Sequence, residues 1–499
     1  MPRKRIEMKV NITRLMFFVF LFTQPIFCSA EQSSVIARYS VKYVGNDRFS
    51  VKAAFALPTS RLDLNHHGAV GRPGGQASSV YELKAFDSHN NPVAIEYKDE
   101  GTWRTVDASA RRIEYELVAD HDSAIWAAGK EEVATKFDAS YYFVGDAFFL
   151  VDYDWPKTGR IHLNFELPMS WRLASPWRTD GDTLVVYGPD ALGRNAFVVG
   201  NARSRTQQVG QLELTWLADE RVAPAARALA PLFERLPLAY SSFWKGSPDQ
   251  QLSIFLLSDN LTDGGAFKNS FAMRLDTPLR DSEQPIWMHT MAHELMHIWM
   301  DQSNDGIGRR EGGSLYWFTE GFTDYLTIKL MRQSDLLDRT MTAQRIANLI
   351  RRYAVGRRIS VGTGLQAAGD RKHENWELIY GGGAVIALLL DAELSANSPV
   401  AFRDMLRHLQ HQGGKPLDGN AILNLMDENS AGRASAVFRE VDTGLTLGKI
   451  RERLYAAGIH VESFASDEVY VEFAECRQLL CADSLWGQRR SEAIGSTLK

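Results

Sequence analysis

The sequence predicts a multidomain α+β protein. An N-terminal antiparallel β-sandwich is expected over residues 31–216, then a mainly helical domain over 217–460 and a short C-terminal extension over 461–499. Two observations carry that prediction. Apolar residues recur at a period of two through the first part, as strands with one buried face require, and at helical spacing through the second. Composition agrees: 499 residues, 45% hydrophobic and 23% charged, leave ample material for more than one core. A net charge of −5 without a long basic run gives no electrostatic footprint for nucleic acid or an anionic membrane surface.

Residues 1–30 read as a secretory signal peptide. Arg3, Lys4, Arg5, Lys9 and Arg14 precede the apolar stretch from Leu15 to Phe27, and Cys28-Ser29-Ala30 supplies small residues for cleavage after Ala30. Interrupted by Thr23, Gln24 and Pro25, the stretch is short for a bilayer span. Export to the periplasm or beyond is therefore expected in preference to an uncleaved anchor. The later apolar run from Ala384 to Leu390 stops at Asp391, so no stable span is expected after signal removal. In the mature chain Cys476 and Cys481 form a local disulfide or stay as two thiols.

In the first domain, Tyr39, Val41 and Tyr43 alternate with Arg38, Ser40 and Lys42, and Phe49, Val51, Ala53, Phe55 and Leu57 keep the same period up to Pro58. Ile113, Tyr115 and Leu117 repeat it, as do Ile161, Leu163, Phe165 and Leu167 before Pro168. After Trp216, helices are expected over Glu220 to Leu236, Thr340 to Tyr353, Ala384 to Ala396, Val400 to His411 and Leu447 to Ala457. Leu252 to Leu257 and Ser270 to Leu275 read as strands, the second as an edge strand able to hold an extended peptide.

The chemistry concentrates in His293-Glu294-Leu295-Met296-His297, an HExxH pattern inside the nearly apolar stretch Trp287 to Met300. On a helix, residues i and i+4 are about 40° apart in azimuth and roughly 6 Å apart along the axis, so both imidazoles reach one ion. Glu294 is placed for a bound water, and Glu320 offers an oxygen ligand from a second helix. Two His and one Glu leave a zinc position open, as a catalytic site needs. A surface helix with this pattern by chance is the bland alternative; the apolar setting argues against it, because buried ionisable groups need partners. His289 is no third ligand, since it lies about 12 Å along the axis from His297.

At this point the chain resembles the glycyl-aminopeptidase-like zinc metallopeptidases, relatives of aminopeptidase N within the gluzincins. Trp317 to Tyr325 is similar to their "EGFTxYY" signature, and Tyr380-Gly381-Gly382-Gly383 to their "Y-x-K-G" helix, with Gly382 where lysine usually stands. Tyr141 to Phe149 and Leu167 to Ala174 resemble their N-terminal β domain, and Phe438 to Ile459 the end of their catalytic domain. The resemblance implies a thermolysin-like catalytic domain, one Zn2+ per chain held by His293, His297 and Glu320, and a peptide or protein substrate. It also implies Glu294 as the proton-handling base, Tyr380 as a hydrogen-bond donor to the tetrahedral oxyanion, and Asp324 as the partner of a ligand histidine. Two departures stand out. The residues after Ile459 are too few for the complete PDZ module many members carry. The family's "GGLEH" loop aligns with Gly264-Gly265-Ala266-Phe267-Lys268, without the Glu that pairs with a substrate's α-amine. Asp263 is the nearest substitute acid, and Asp263, Gly264, Gly265 and Ala266 are the expected substrate-binding residues. Aminopeptidase specificity is thus left open. A non-peptidase zinc hydrolase of epoxide-opening type and an inactive peptide-binding protein are the alternatives on the same scaffold.

Overall fold

The structure, a computed structural model, describes residues 34–473 except 65–68, 71, 73, 100, 120–124, 127–131, 247–249, 302–312, 396–400, 411–417 and 466–467. All described secondary structure lies in the compact unit Val35–Lys499. The expected signal segment, Cys476 and Cys481 lie outside the described residues.

The first part is β-rich and the second helical. The alternating segments form one eight-stranded sheet, in which Val35–Gly45 lies between Arg160–Glu166 and Arg48–Thr59, with Ala110–Val118 next. The sheet is mixed, because Val35–Gly45 pairs parallel with Arg160–Glu166 while its other neighbour is antiparallel. Period-two patterning fixes which face is buried but not strand direction. The inward residues Tyr39, Val41, Phe49, Val51, Tyr115 and Leu163 pack on Phe143, Phe148, Phe149 and Phe197, with edge-to-face pairs such as Phe49–Phe143 at 5.4 Å and Phe148–Phe197 at 5.5 Å.

Ser140–Val144 and Ala196–Gly200 are the inner strands of a second, four-stranded sheet and are buried on both faces. Tyr141 and Phe143 face the eight-stranded sheet, while Tyr142 and Val144 join Phe255, Leu257 and Ala272 of a third sheet. The sandwich is therefore three sheets deep at this point. The third sheet runs in the order Ser204–Val209, Leu212–Ala218, Gln251–Asp259, Ser270–Asp276, Asp263–Ala266. Ser270–Asp276 is thus internal, and the edge strand is Asp263–Ala266, which corrects the sequence expectation. The cause is the tight turn between Ala266 and Ser270, closed by Phe267 N–H to the Ser270 carbonyl at 2.8 Å, which folds Asp263–Ala266 antiparallel along the outer side.

Helices cover the other face of that sheet. Ala223–Trp244 runs on through Pro231 and Pro237, eight residues beyond the expected end at Leu236. Each proline forfeits one backbone bond, but Leu229, Leu232, Phe233, Leu236, Tyr240 and Phe243 keep the apolar stripe buried throughout. Trp376–Ser395 is long and apolar enough to cross a membrane, yet 89% of the window that meets this test is buried, as in a core helix.

Candidate active site

Three elements bring the site together. The first is the helix Gln284–Asp301, which carries the HExxH segment. Its inner face, Trp287, Met291, Leu295, Met296 and Trp299, is fully buried, and the Tyr240 hydroxyl donates to the Ala292 carbonyl at 2.8 Å, one residue before His293. The second is the helix Gly321–Gln333 with Glu320 at its N-cap. The third is Trp376–Ser395, which presents Tyr380. The last two touch backbone to backbone: a Cβ on Gly321 would stand 2.4 Å from Gly383 Cα, and one on Gly383 would stand 1.7 Å from the Trp317 carbonyl oxygen. Glycine is needed here for approach. At 382 a Cβ would stand 2.5 Å from a terminal methyl of Leu365, so a larger side chain there requires Leu365 to move.

His293 Nε2, His297 Nε2 and Glu320 Oε2 form a triangle with edges of 3.0, 3.2 and 3.4 Å. Donor atoms around a tetrahedral zinc ion with bonds of about 2.0–2.1 Å lie about 3.3 Å apart, so these three atoms fit such an ion. His293 Nδ1 bonds Asp324 Oδ1 at 2.8 Å, and His289 Nε2 bonds the same oxygen at 3.0 Å. Assigning both bonding protons to the imidazoles leaves the His293 Nε2 lone pair directed at the triangle. A second possible ion position, among His289, His293 and Asp324, uses these same atoms. We read it as hydrogen bonding, because Asp324 Oδ1 already accepts from both imidazoles and Asp324 Oδ2 is held by Arg352 at 2.9 Å.

The electrostatics follow from burial and this pairing. Burial works against an imidazolium at His293, but Asp324 and Glu320 outweigh it and raise its pKa to about 10 in the metal-free protein. Glu320 and Asp324 are held well below the usual carboxylate range despite their burial, Glu320 by His297, His293 and Lys372, and Asp324 by His293 and His289. Burial raises Glu294, with His297 and His293 opposing, and so moves it toward the range of a useful base. Burial, then the charges of Glu320 and Glu294, hold the Tyr380 hydroxyl far above its ordinary value, so it stays protonated.

Of the expected substrate residues, Gly264 lies against the motif helix: a Cβ there would be 3.2 Å from both Glu294 Cγ and Thr290 Cγ2. The strand Asp263–Ala266 therefore runs past Glu294. Gly265 and Ala266 pair with Ala272 and Phe271 of the inner strand. Asp263 is partly buried, and burial raises its carboxyl. Phe267 is buried between sheets and Lys268 is exposed.

Sequence reading missed Arg352, Glu377, Lys372 and Trp376, and saw His289 only as a rejected ligand. Arg352 bridges Asp324 and Glu377 at 2.9 and 2.7 Å and lies 4.8 Å from the Tyr380 ring centroid. Trp376 stacks on Tyr380 at 4.5 Å. A signal existed for His289 alone, which continues the i, i+4 stripe of the motif helix.

No protein-family model and no curated protein matches the sequence. Solved structures do match in fold. An aminopeptidase N family protein from Idiomarina loihiensis superposes with a TM-score of 0.69 at 16% identity, covering 86% of this chain and 79% of that one. An M1 zinc metallopeptidase from Deinococcus radiodurans, a variant bound to a Tyr-Ser-Ala substrate, gives 0.52 at 17% identity over 83% of this chain and 95% of that one. A two-domain M1 zinc metallopeptidase variant bound to L-arginine gives 0.54 at 15% identity, with the same coverage. The chain therefore has the fold of the aminopeptidase N family and M1 zinc metallopeptidase structures.

Proposed function

We propose that this protein is an exported zinc metallopeptidase that hydrolyses peptide bonds. The observation that carries the reading is the His293–His297–Glu320 triangle, whose edges suit a tetrahedral ion and which stands beside Glu294 and Tyr380. The fold adds support, since the matching D. radiodurans protein is described with a tripeptide substrate. The catalytic region then corresponds to the thermolysin-like arrangement of the gluzincins.

Bound zinc supplies an activated water and polarises a carbonyl at neutral pH. The chain's own groups do the rest. Glu294 takes a proton at its carboxylate and returns it to the leaving amine, a role suited to its raised pKa. Tyr380, protonated, donates its O–H to the oxygen where negative charge develops. Asp324 and Arg352 hold the His293 ring. The edge strand Asp263–Ala266 offers its backbone to an extended substrate beside Glu294. The intact Glu294 and Tyr380 argue against an inactive peptide binder, and a panel of peptides separates peptide cleavage from epoxide opening.

The test is zinc content together with peptide cleavage for the wild type, Glu294→Gln and Glu320→Ala. Glu294→Gln is expected to keep about one zinc per chain and lose nearly all cleavage, whereas Glu320→Ala loses both. A fully active Glu294→Gln protein would overturn the proposal.

A further inference from the structure

One cation at the site has no part in that scheme. Lys372 precedes the Trp376–Ser395 helix, and its Nζ donates to Glu320 Oε1 at 2.7 Å. The other oxygen, Oε2, is the one that meets the two imidazoles. The ammonium is held from several sides: it lies 4.4 Å from the Tyr316 ring centroid, 5.4 Å from Trp376 and 5.8 Å from Tyr380. Its backbone is fixed as well. The buried Asn375 side chain donates to the Ala368 and Arg371 carbonyls at 3.3 and 3.1 Å, which pins the turn that carries Lys372.

A carboxylate binds an ion through one oxygen or through both. The second mode fills the place that an exchangeable water or substrate oxygen needs in a three-ligand site. An oxygen already engaged by an ammonium is a poor second ligand, because it must give up a charge-assisted hydrogen bond to reach the ion. The ammonium, for its part, tolerates a nearby dication only with a carboxylate between them, and that is where Glu320 stands.

We infer that Lys372 is a positioning residue that keeps Glu320 bound through Oε2 alone and so preserves an open coordination place. The inference rests on the zinc reading above. It gives the chain a device that the motif residues do not supply, drawn from a turn 52 residues beyond Glu320.

The test uses the full chain with cobalt(II) in place of zinc, for the wild type, Lys372→Met and Lys372→Arg. Visible absorption of cobalt(II) is intense at low coordination number and weak at high. Lys372→Met is expected to lose much of the wild-type absorption and to lower kcat of the zinc form about 10–100-fold with little change in KM. Lys372→Arg, which keeps a donor to Oε1, is expected to retain the wild-type spectrum and most of kcat. Thermal unfolding of the metal-free proteins checks that the variants fold. A Lys372→Met cobalt spectrum identical to wild type would overturn the inference, as would a rise confined to KM, which marks a substrate contact. If the wild type itself bound neither zinc nor cobalt, the zinc reading would fail instead.

Discussion

Replacing Asp324 by Asn keeps the side-chain shape and removes one charge from a site where the residue is 2% exposed. The carboxylate serves three donors with two oxygens: His293 at 2.8 Å and His289 at 3.0 Å on one, Arg352 at 2.9 Å on the other. An amide has a single acceptor oxygen, and its NH2 must face either the histidines or Arg352, donor against donor. If the amide turns its oxygen to Arg352, His293 loses the bond that fixes its ring. Loss of such a partner typically lowers metal affinity 10–100-fold, or about 1.4–2.7 kcal/mol. If the oxygen stays on the histidines, Arg352 loses one carboxylate but keeps Glu377 at 2.7 Å. The cost to folding is then below the ~3–5 kcal/mol of a fully orphaned buried charge. Zinc affinity is to be measured by competition with a chromophoric chelator, alongside denaturant unfolding of the metal-free protein. The expected result is a zinc Kd raised about 10–100-fold with a smaller loss of stability. Unchanged zinc affinity together with a large loss of stability would refute the reasoning and make Asp324 a partner of Arg352 alone.

Tyr380→Phe is expected to keep zinc and leave KM nearly unchanged while kcat falls about 10²–10³-fold, read from steady-state kinetics; an effect on KM alone would make the hydroxyl a substrate contact. Gly383→Ala forces a methyl into the Trp317 carbonyl and is expected to destabilise by about 1–3 kcal/mol or more, seen as a lower Tm, because backbone cannot move aside as a side chain can. Matched peptides with free and acetylated N-termini are expected to be cleaved comparably, since Asp263 stands at the strand start and no Glu follows Gly264-Gly265. Strict dependence on the free amine, abolished by Asp263→Asn, would show that Asp263 holds the ammonium.

The parts of the site legible in the sequence were those with a local rule. His293, Glu294 and His297 follow from helix geometry, and the structure places Glu320 and Asp324 beside them. Lys372, Arg352 and Glu377 come from turns and helices that reach the site only through tertiary packing, and no spacing announces them. The strands were visible because each buries one face, whereas the parallel pairing of Val35–Gly45 leaves no mark on a period of two. The Gly381-Gly382-Gly383 run hid the start of a helix from the residue pattern, although the family resemblance put Tyr380 on one. Three glycines weaken helix propensity by about 1 kcal/mol each, so the pattern favours a helix from Ala384, yet the helix begins at Trp376. What offsets that cost is the close approach of Gly383 to Gly321 and of Gly381 to the Tyr353 backbone.

That approach also explains a buried ion pair far from the chemistry. Gly321–Gln333 and Trp376–Ser395 touch at Gly321 and Gly383 at one end. Toward the other, Asp391 accepts hydrogen bonds from Tyr325, Lys329 and Ser395. Lys329 and Asp391 are buried among apolar side chains, where a packed apolar pair would stabilise the fold as well or better. What the charges add is register. Sliding one helix by a turn, about 5.4 Å, would part Lys329 from Asp391 and bury each unpaired, at about 3–5 kcal/mol. The same slide would carry Tyr380 away from His293, on which its ring stacks. Two backbone glycines therefore set how near the helices lie, and one ion pair sets where along each other they stop. Together they decide whether the Tyr380 ring lies beside His293, 5.9 Å between centroids.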